Sequence, residues 1–290
     1  NPLVGRKELT LVLIDIAKQF SCDSSGQKDL NYAEKIFKKI EEIAGFESFD
    51  ESLIYLRALN LEKTKEYNKA KDIYLDLINR FPRSIHFDEA VYKIGVIYVY
   101  VLRDINSGRD YFEKLGEKET AGSEVISSLY QLGLLSQWSG NLVKAEEHYS
   151  KLIDIAKEGF AEKVALTKVR MEEVDNIKPL EYNIKMFLDA SLKEENSTLN
   201  MANLDLRSTP YNVKNNESVN LSATAYAGEA GCMQPDLQYL WSGDLGSIKP
   251  EALKTAFETK YSEQGVQLVS LVVVSPQTVI DRSIELIDVR

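Results

Sequence analysis

The residues best suited to chemistry in this 290-residue sequence are two histidines, two cysteines and several adjacent carboxylates. His86 and His148 stand apart from each other and from both cysteines, whereas a zinc site needs ligands at short motif spacing. Cys22 and Cys232 are 210 positions apart, which excludes a Cys-x-x-Cys motif and a disulfide framework. Whether these two thiols are free stays open. We expect no metal centre and no cofactor.

Other catalytic patterns are missing from the sequence. It contains neither the glycine-rich loops that bind phosphate nor the Gly-x-Ser-x-Gly motif that presents a nucleophile. Adjacent carboxylates such as Glu41 and Glu42 lie in amphipathic stretches and fit solvated helix faces. Asp236 and Asp244 flank Trp241 with oxygen ligands suited to calcium, but a calcium site needs more such ligands close together. The sequence therefore predicts that the chain is not an enzyme.

The charge distribution bears on the class of partner. The net charge is −10, and lysines and arginines form no cluster. Because phosphate neutralisation dominates nucleic-acid affinity, we expect no nucleic-acid partner and no anionic lipid surface. No apolar run approaches the roughly 20 residues of a membrane span. The apolar stretch Leu9–Ala17 contains Asp15 and fits an amphipathic helix, so we expect any targeting segment or lipid anchor to have been removed with an earlier N-terminus.

The hydrophobic period changes along the chain and predicts a multidomain α + β protein. From Lys7 to about Asp175, apolar residues recur every three or four positions, as in amphipathic helices. After about Leu204 they alternate, as in strands. We predict a helical domain at 1–178, a further helix and the polar linker Glu194–Thr198 within 179–199, and a β domain at 200–290.

The helical part contains an internal repeat. Three segments align with spacings of 37 and 38 residues: Glu51–Ser84, Asp88–Ala121 and Ile126–Gly159. Small residues recur at two places in each segment, and a tyrosine follows the second: Ala58, Ala70 and Tyr74; Gly95, Ser107 and Tyr111; Gly133, Ala145 and Tyr149. Small side chains let two antiparallel helices approach closely. The pattern therefore predicts stacked helix hairpins.

This pattern of small, small, aromatic and proline residues resembles the tetratricopeptide repeat, most clearly at Ala58, Ala70, Tyr74 and Pro82. The resemblance covers roughly residues 30–175 and implies an α-helical hairpin solenoid. The stretch from Leu77 to Gly95 is similar to the variant common in bacterial cell-envelope lipoproteins. That similarity implies a periplasmic or envelope location.

The C-terminal part predicts an antiparallel β-sandwich of the immunoglobulin-like kind, from short alternating runs separated by turn residues. The Tyr239-x-Trp241 pair, the turn at Gly243–Gly246 and Gly265 resemble the polycystic-kidney-disease repeat. The usual Trp-Asp-Phe-Gly-Asp-Gly turn is Trp241-Ser242-Gly243-Asp244-Leu245-Gly246 here. The resemblance therefore implies a fold without any particular ligand.

A candidate partner-binding groove follows from the repeat. Aligned first helices carry tyrosine at one position, an aliphatic residue four positions later and polar residues beside them, and residues four apart share a helix face. These residues are Tyr55, Leu59, Glu62, Glu89, Tyr92, Val96, Tyr130, Leu134 and Gln137. They would bind an extended peptide or a helix with apolar anchors. Packing of each tyrosine between repeats is the equal alternative.

Together these observations predict a non-catalytic protein–protein interaction scaffold of the bacterial cell envelope. A protein or peptide ligand would lie in the groove. The alternative is a protein that binds peptidoglycan or another polysaccharide through exposed aromatic residues of the β domain. Trp241 is the obvious aromatic, but we expect it to be a core residue.

Overall fold

The computed structural model of this chain describes residues 2–21, 29–156, 159–192, 202–227, 237–246, 248–251, 254–274 and 279–290. The described residues form helices up to Leu192 and strands from Ala202 onward, which confirms the α + β class. The chain divides into two compact units, an N-terminal unit at 1–97 and a C-terminal unit at 98–290. The domain limits at 178 and 200 stay a prediction.

Some predicted features fall outside the described residues. They are Cys22, Cys232, Asp236 and the linker Glu194–Thr198. Within the described residues, none of the helices combines the length and the apolarity needed to cross a bilayer.

The described part of the N-terminal unit is helical. Its helices are α1 (Pro2–Ser21), α2 (Leu30–Ala44), α3 (Glu51–Lys63), α4 (Tyr67–Arg80) and α5 (Phe87–Val96). Asp50 begins α3, because its carboxylate accepts a hydrogen bond from the backbone N of Leu53 at 2.8 Å. Helix α4 ends at Arg80, since Pro82 disfavours helical geometry at Phe81. Ala58, Ala70 and Tyr74 are fully buried, as the repeat pattern predicted for the α3–α4 hairpin.

The C-terminal unit begins with further helices. They are α6 (Ile105–Gly116), α7 (Ser123–Trp138), α8 (Leu142–Ile155), α9 (Ala161–Asp175) and α10 (Tyr182–Leu192). Gly133 of α7 meets Tyr149 of α8 so closely that a Cβ atom at Gly133 would lie 2.1 Å from Tyr149 Cε1. Gly133 therefore lets α7 and α8 approach closely, as the small residues predicted, and the ring of Tyr149 lies against it within the same hairpin.

The middle repeat is shifted by one residue from its predicted register. The alignment placed Ser107 and Tyr111 at the small and aromatic positions, but the structure buries Gly108 and Phe112 there. Ser107 instead donates its backbone N–H to Asp104, which begins α6. A π-helical turn at Ile97–Val101 follows α5 and accounts for the shift, because a π turn accommodates one residue more than an α turn.

The strands of the C-terminal unit form two sheets. They are β1 (Ala202–Thr209), β2 (Asn212–Val213), β3 (Ser218–Ala227), β4 (Gln238–Gly243), β5 (Ala256–Lys260), β6 (Gly265–Val274) and β7 (Val279–Val289). One sheet has the order β1-β3-β5 and the other β2-β7-β6-β4. The paired strands are antiparallel except for β2 and β7, which are parallel.

Both sheets contribute to one apolar core. Leu221 and Phe257 come from the first sheet, and Trp241, Leu271 and Ile287 come from the second. Strand β3 shows the predicted alternation between buried and exposed residues. Strand β6 is instead buried along almost its whole length, because α7 and α10 pack against the second sheet.

Candidate interaction site

The residues predicted to line a groove are all buried. Their exposed fractions range from 0% at Tyr92 and Val96 to 7% at Tyr55 and Gln137, and the set is Tyr55, Leu59, Glu62, Glu89, Tyr92, Val96, Tyr130, Leu134 and Gln137. These side chains do not form an exposed stripe. Their burial favours the alternative in which each tyrosine packs between repeats. Their part in partner binding stays a prediction.

In the N-terminal unit, some of these residues surround a buried cation. Lys93 is fully buried, and its Nζ lies 3.2 Å from Glu89 Oε1 and 3.3 Å from Glu62 Oε2. Tyr55 donates a hydrogen bond of 2.5 Å to Glu89, and Tyr74 donates one of 2.9 Å to Glu62. These five residues form the Lys93 cluster, which ties α3, α4 and α5 together.

Sequence reasoning missed the role of Lys93. The visible signal is a single lysine inside an otherwise apolar run, four residues after Glu89. Spacing of four on a helix favours an ion pair. Burial of the pair followed only from the packing of α3 and α4 around it.

The C-terminal unit contains a similar arrangement around Arg170. Tyr149 donates to Gln137 at 3.0 Å, and Gln137 donates to Glu173 at 3.0 Å. The guanidinium of Arg170 lies 3.0 Å from Glu173 and donates to Glu181 at 2.8 Å. These five residues form the Arg170 cluster. Burial raises the pKa of Glu173 and outweighs the opposite effects of Gln137 and Arg170.

Within the same unit, the β region is held against α9. Lys163 of α9 forms a buried ion pair with Asp244, whose Oδ2 also accepts from the backbone N of Leu268 at 3.0 Å. Tyr261 donates to the backbone carbonyl of Asp244 at 2.9 Å. Among the described residues, no group of three or more His, Cys, Asp or Glu side chains is placed to hold a metal ion. Through its ion pair with Lys163 and its hydrogen bond from Leu268, Asp244 anchors α9 to the β region.

Glu263 supplies a cap for α9 from the β region. Its Oε1 accepts from the backbone N of Glu162 at 2.5 Å and from that of Lys163 at 3.3 Å. The residue at the N-cap position, Phe160, offers no side-chain acceptor. Free amides at a helix start need such partners, so a carboxylate distant in sequence completes this helix.

A pocket of about 580 Å³ opens beside these contacts. Leu166 and Val169 of α9 form one wall, and Trp241 and Ile248 contribute to another. Val169 is 48% exposed, so an apolar side chain lies at the surface beside the pocket. All the lining residues belong to the C-terminal unit. We call this cavity the α9 pocket.

Trp241 lies on the inner side of this pocket and in the core. It is 2% exposed, its indole N–H donates to the carbonyl of Lys254 at 2.8 Å, and its ring meets Phe257 edge to face. Stacking on a sugar requires an exposed aromatic face. Trp241 is thus a core residue, as expected, and offers no exposed aromatic face to a polysaccharide.

The tetratricopeptide-repeat family profile matches residues 52–84. The chain contains a tetratricopeptide-like repeat. This tetratricopeptide-like repeat corresponds to the α3–α4 hairpin and the residues just after it. No curated protein matches the sequence.

Among solved structures, the chain is similar to the Pseudomonas fluorescens alkylpurine DNA glycosylase AlkC bound to DNA containing an abasic site analog. The identity is 12%, the match covers 99% of this chain and 97% of that chain, and the TM-score is 0.28. This finding contradicts two expectations from the sequence, that the chain is not an enzyme and that it has no nucleic-acid partner. Both are withdrawn. At this TM-score the similarity assigns neither an activity nor a partner to this chain.

Proposed function

We propose that this chain is a protein–protein interaction scaffold. The tetratricopeptide-like repeat at 52–84 carries the proposal, because helix hairpins of this kind present surfaces to other polypeptides. The repeat spacing of 37 and 38 residues supports continuation of the hairpins as a solenoid through 1–178. Two mainly antiparallel sheets around a shared core support a β-sandwich resembling the polycystic-kidney-disease repeat at 200–290, preceded by a helix and linker at 179–199.

We place the partner-binding surface at the α9 pocket. The residues of the predicted groove are buried, whereas Val169 at this pocket is largely exposed and Leu166 beside it is partly exposed. A concave surface that combines apolar walls with charged groups is the usual form of a binding site. The bacterial cell envelope is the proposed location, supported by the similarity of Leu77–Gly95 to envelope lipoproteins.

Site-specific photocrosslinking in the source cell tests the proposed function. A photoreactive amino acid at Val169 should give a covalent adduct with one identifiable protein. Val143, an exposed valine of α8 in the same unit, serves as the matched control and should give no such adduct. The purified partner should then bind the purified chain with a measurable Kd. Absence of a protein adduct at Val169, or the same set of adducts at both valines, would refute the proposal.

Fractionation of the source cell tests the location. We expect the full-length protein in the envelope fraction together with known envelope markers. Recovery in the cytoplasmic fraction alone would contradict an envelope role while leaving the interaction proposal intact.

A further inference from the structure

The cations that line the α9 pocket are largely neutralised already. Lys163 is paired with Asp244, and both side chains are buried. Arg170 is paired with two carboxylates, Glu173 and Glu181. Neither cation is therefore available to attract an anionic ligand.

Carboxylates outnumber cations around the pocket. The lining carboxylates are Asp244, Glu181, Glu162 and Glu263, of which the last two stand at the start of α9. Lys249, which is exposed, is the one further cation among the described lining residues. Four carboxylates thus face three cations among the described lining residues.

The surplus negative charge is accessible to a ligand. The side chain of Glu181 is 42% exposed, although it binds Arg170. Glu162 is exposed and accepts a hydrogen bond from Ser262, which leaves its charge in place. Charges in a cleft with apolar walls interact more strongly than on an open surface, because the effective dielectric constant is lower there.

The shape of the pocket suits a long side chain with an apolar stem. Its volume of about 580 Å³ exceeds that of one side chain, so a ligand residue enters with its neighbours. Leu166, Val169 and Ile248 offer apolar contact near the charged groups. Lysine and arginine bury their methylene stems along apolar surfaces while their charged ends reach polar groups.

We propose that the α9 pocket receives a lysine or arginine side chain of the partner protein, flanked by apolar residues. This inference rests on the proposed function and specifies the chemistry of the partner. The carboxylates Glu162 and Glu181 face the cation, and the α9 wall holds its stem and the flanking side chains.

A pair of short peptides tests the inference on the full chain. The probes are acetyl-Leu-Arg-Leu-amide and its citrulline counterpart, which has a similar shape without the charge. The indole N–H signal of Trp241 in NMR spectra reports on the pocket, since this residue lines it. We expect the arginine peptide to shift this signal in a saturable manner and to bind at least tenfold more tightly than the citrulline peptide.

Variants with matched controls complete the test. E162Q/E181Q should weaken arginine-peptide binding at least tenfold, whereas E258Q, a change at an exposed carboxyl of β5, should leave it unchanged. V169W should obstruct the pocket, and K168W on the same helix should not. Thermal melting of each variant shows whether it remains folded. If E162Q/E181Q unfolds, V169W still tests the inference, because it alters an exposed position.

Three outcomes would overturn the inference. They are equal binding of the two peptides, no effect of V169W, and displacement of the arginine peptide from the pocket by a short DNA duplex. A protein adduct at Val169 together with any of these outcomes would mean that the scaffold proposal holds while the basic ligand is wrong.

Discussion

Lys93 lies in an environment that is unusual for a lysine, because its side chain is fully buried. Its ammonium is removed from water and relies on Glu62 and Glu89 for compensation. Burying charges costs free energy, and a buried pair often stabilises a fold little relative to apolar residues. Removal of one partner is far more costly, because the charges that remain are buried with less compensation. Here Glu62 would keep its ion pair with Lys63 at 3.2 Å.

Replacing Lys93 by methionine should therefore destabilise the N-terminal unit. We expect a loss of about 3–5 kcal/mol in the free energy of unfolding, measured by urea denaturation followed by circular dichroism. K38M alters an exposed lysine of α2 and should change stability little. A loss from K93M no larger than that from K38M would show that the Lys93 cluster does not hold these helices together.

Glu173 makes the stability of the C-terminal unit depend on pH. Burial raises the pKa of its carboxyl, so the folded chain binds this proton more tightly than the unfolded chain does. The contribution of Glu173 is therefore most favourable below its unfolded pKa of about 4.3 and declines as pH rises through its folded value. Glu173→Gln should reduce this decline.

Urea unfolding at a series of pH values measures the effect of Glu173→Gln. As pH rises through the folded pKa of Glu173, the unfolding free energy of the original chain should decline more than that of the variant. E258Q, at an exposed carboxyl in the same unit, controls for the removal of one charge. Parallel pH profiles of E173Q and the original chain would contradict the assignment.

For single residues, the sequence indicated the place in the repeat better than it indicated which side chains are buried. The alignment made Tyr55, Tyr92 and Tyr130 equivalent, but equivalence along a repeat does not show which elements cover a helix face, and all three are buried. A predicted helix hairpin can bring Tyr74 and Glu62 together, since only 12 positions separate the two residues that form this hydrogen bond. The contact of Lys163 with Asp244 spans 81 positions and depends on tertiary packing.

Among the elements, the α7–α8 hairpin depends on a glycine. Alanine at Gly133 would favour the helix by about 1 kcal/mol through its propensity. Its Cβ would, however, lie 2.1 Å from the ring of Tyr149, which is fully buried and has no room to withdraw. The steric effect should win, because overpacking in a core commonly costs about 1–3 kcal/mol.

We therefore expect Gly133→Ala to lower the free energy of unfolding. Thermal or urea denaturation gives the value, and a double-mutant cycle with Tyr149→Leu identifies the cause. The cost of G133A should shrink in the Y149L background, since the smaller side chain leaves space. Equal cost in both backgrounds would contradict the crossing as its origin.

Helices and most strands were predictable because the spacing of their apolar residues is visible in the local sequence. The register of the middle repeat was not, since the π turn at Ile97–Val101 adds a residue without any unusual residue type. Strand β1 escaped prediction as a separate strand because Leu204 and Leu206 are its only large apolar residues. Strand β2 has two residues, too few to show a period.

For the molecule as a whole, the C-terminal unit combines helices with sheets. A change of hydrophobic period shows where helices give way to strands, but not which elements share an interior. Lys163 and Asp244 join α9 to the residue that follows β4, and α10 packs against the second sheet. The helices and sheets of this unit should therefore unfold together.

Replacing Lys163 by methionine tests this cooperativity. The change leaves Asp244 buried without its cation and should cost about 3–5 kcal/mol. In a Trp138→Phe background, the fluorescence of Trp241 reports on the second sheet. On unfolding, the loss of its native fluorescence should coincide with the loss of helical circular dichroism from the C-terminal unit. K168M, at an exposed lysine of α9, is the control. Separate transitions for helix and sheet would contradict a single cooperative unit.

The cap that Glu263 gives to α9 has a consequence for synthesis on the ribosome. The first turn of this helix is translated about 100 residues before the carboxylate that completes it. A nascent chain arrested before position 263 should therefore hold α9 with a frayed beginning. Amide protons of Glu162 and Lys163 would exchange rapidly in such a chain and slowly once the full polypeptide is released.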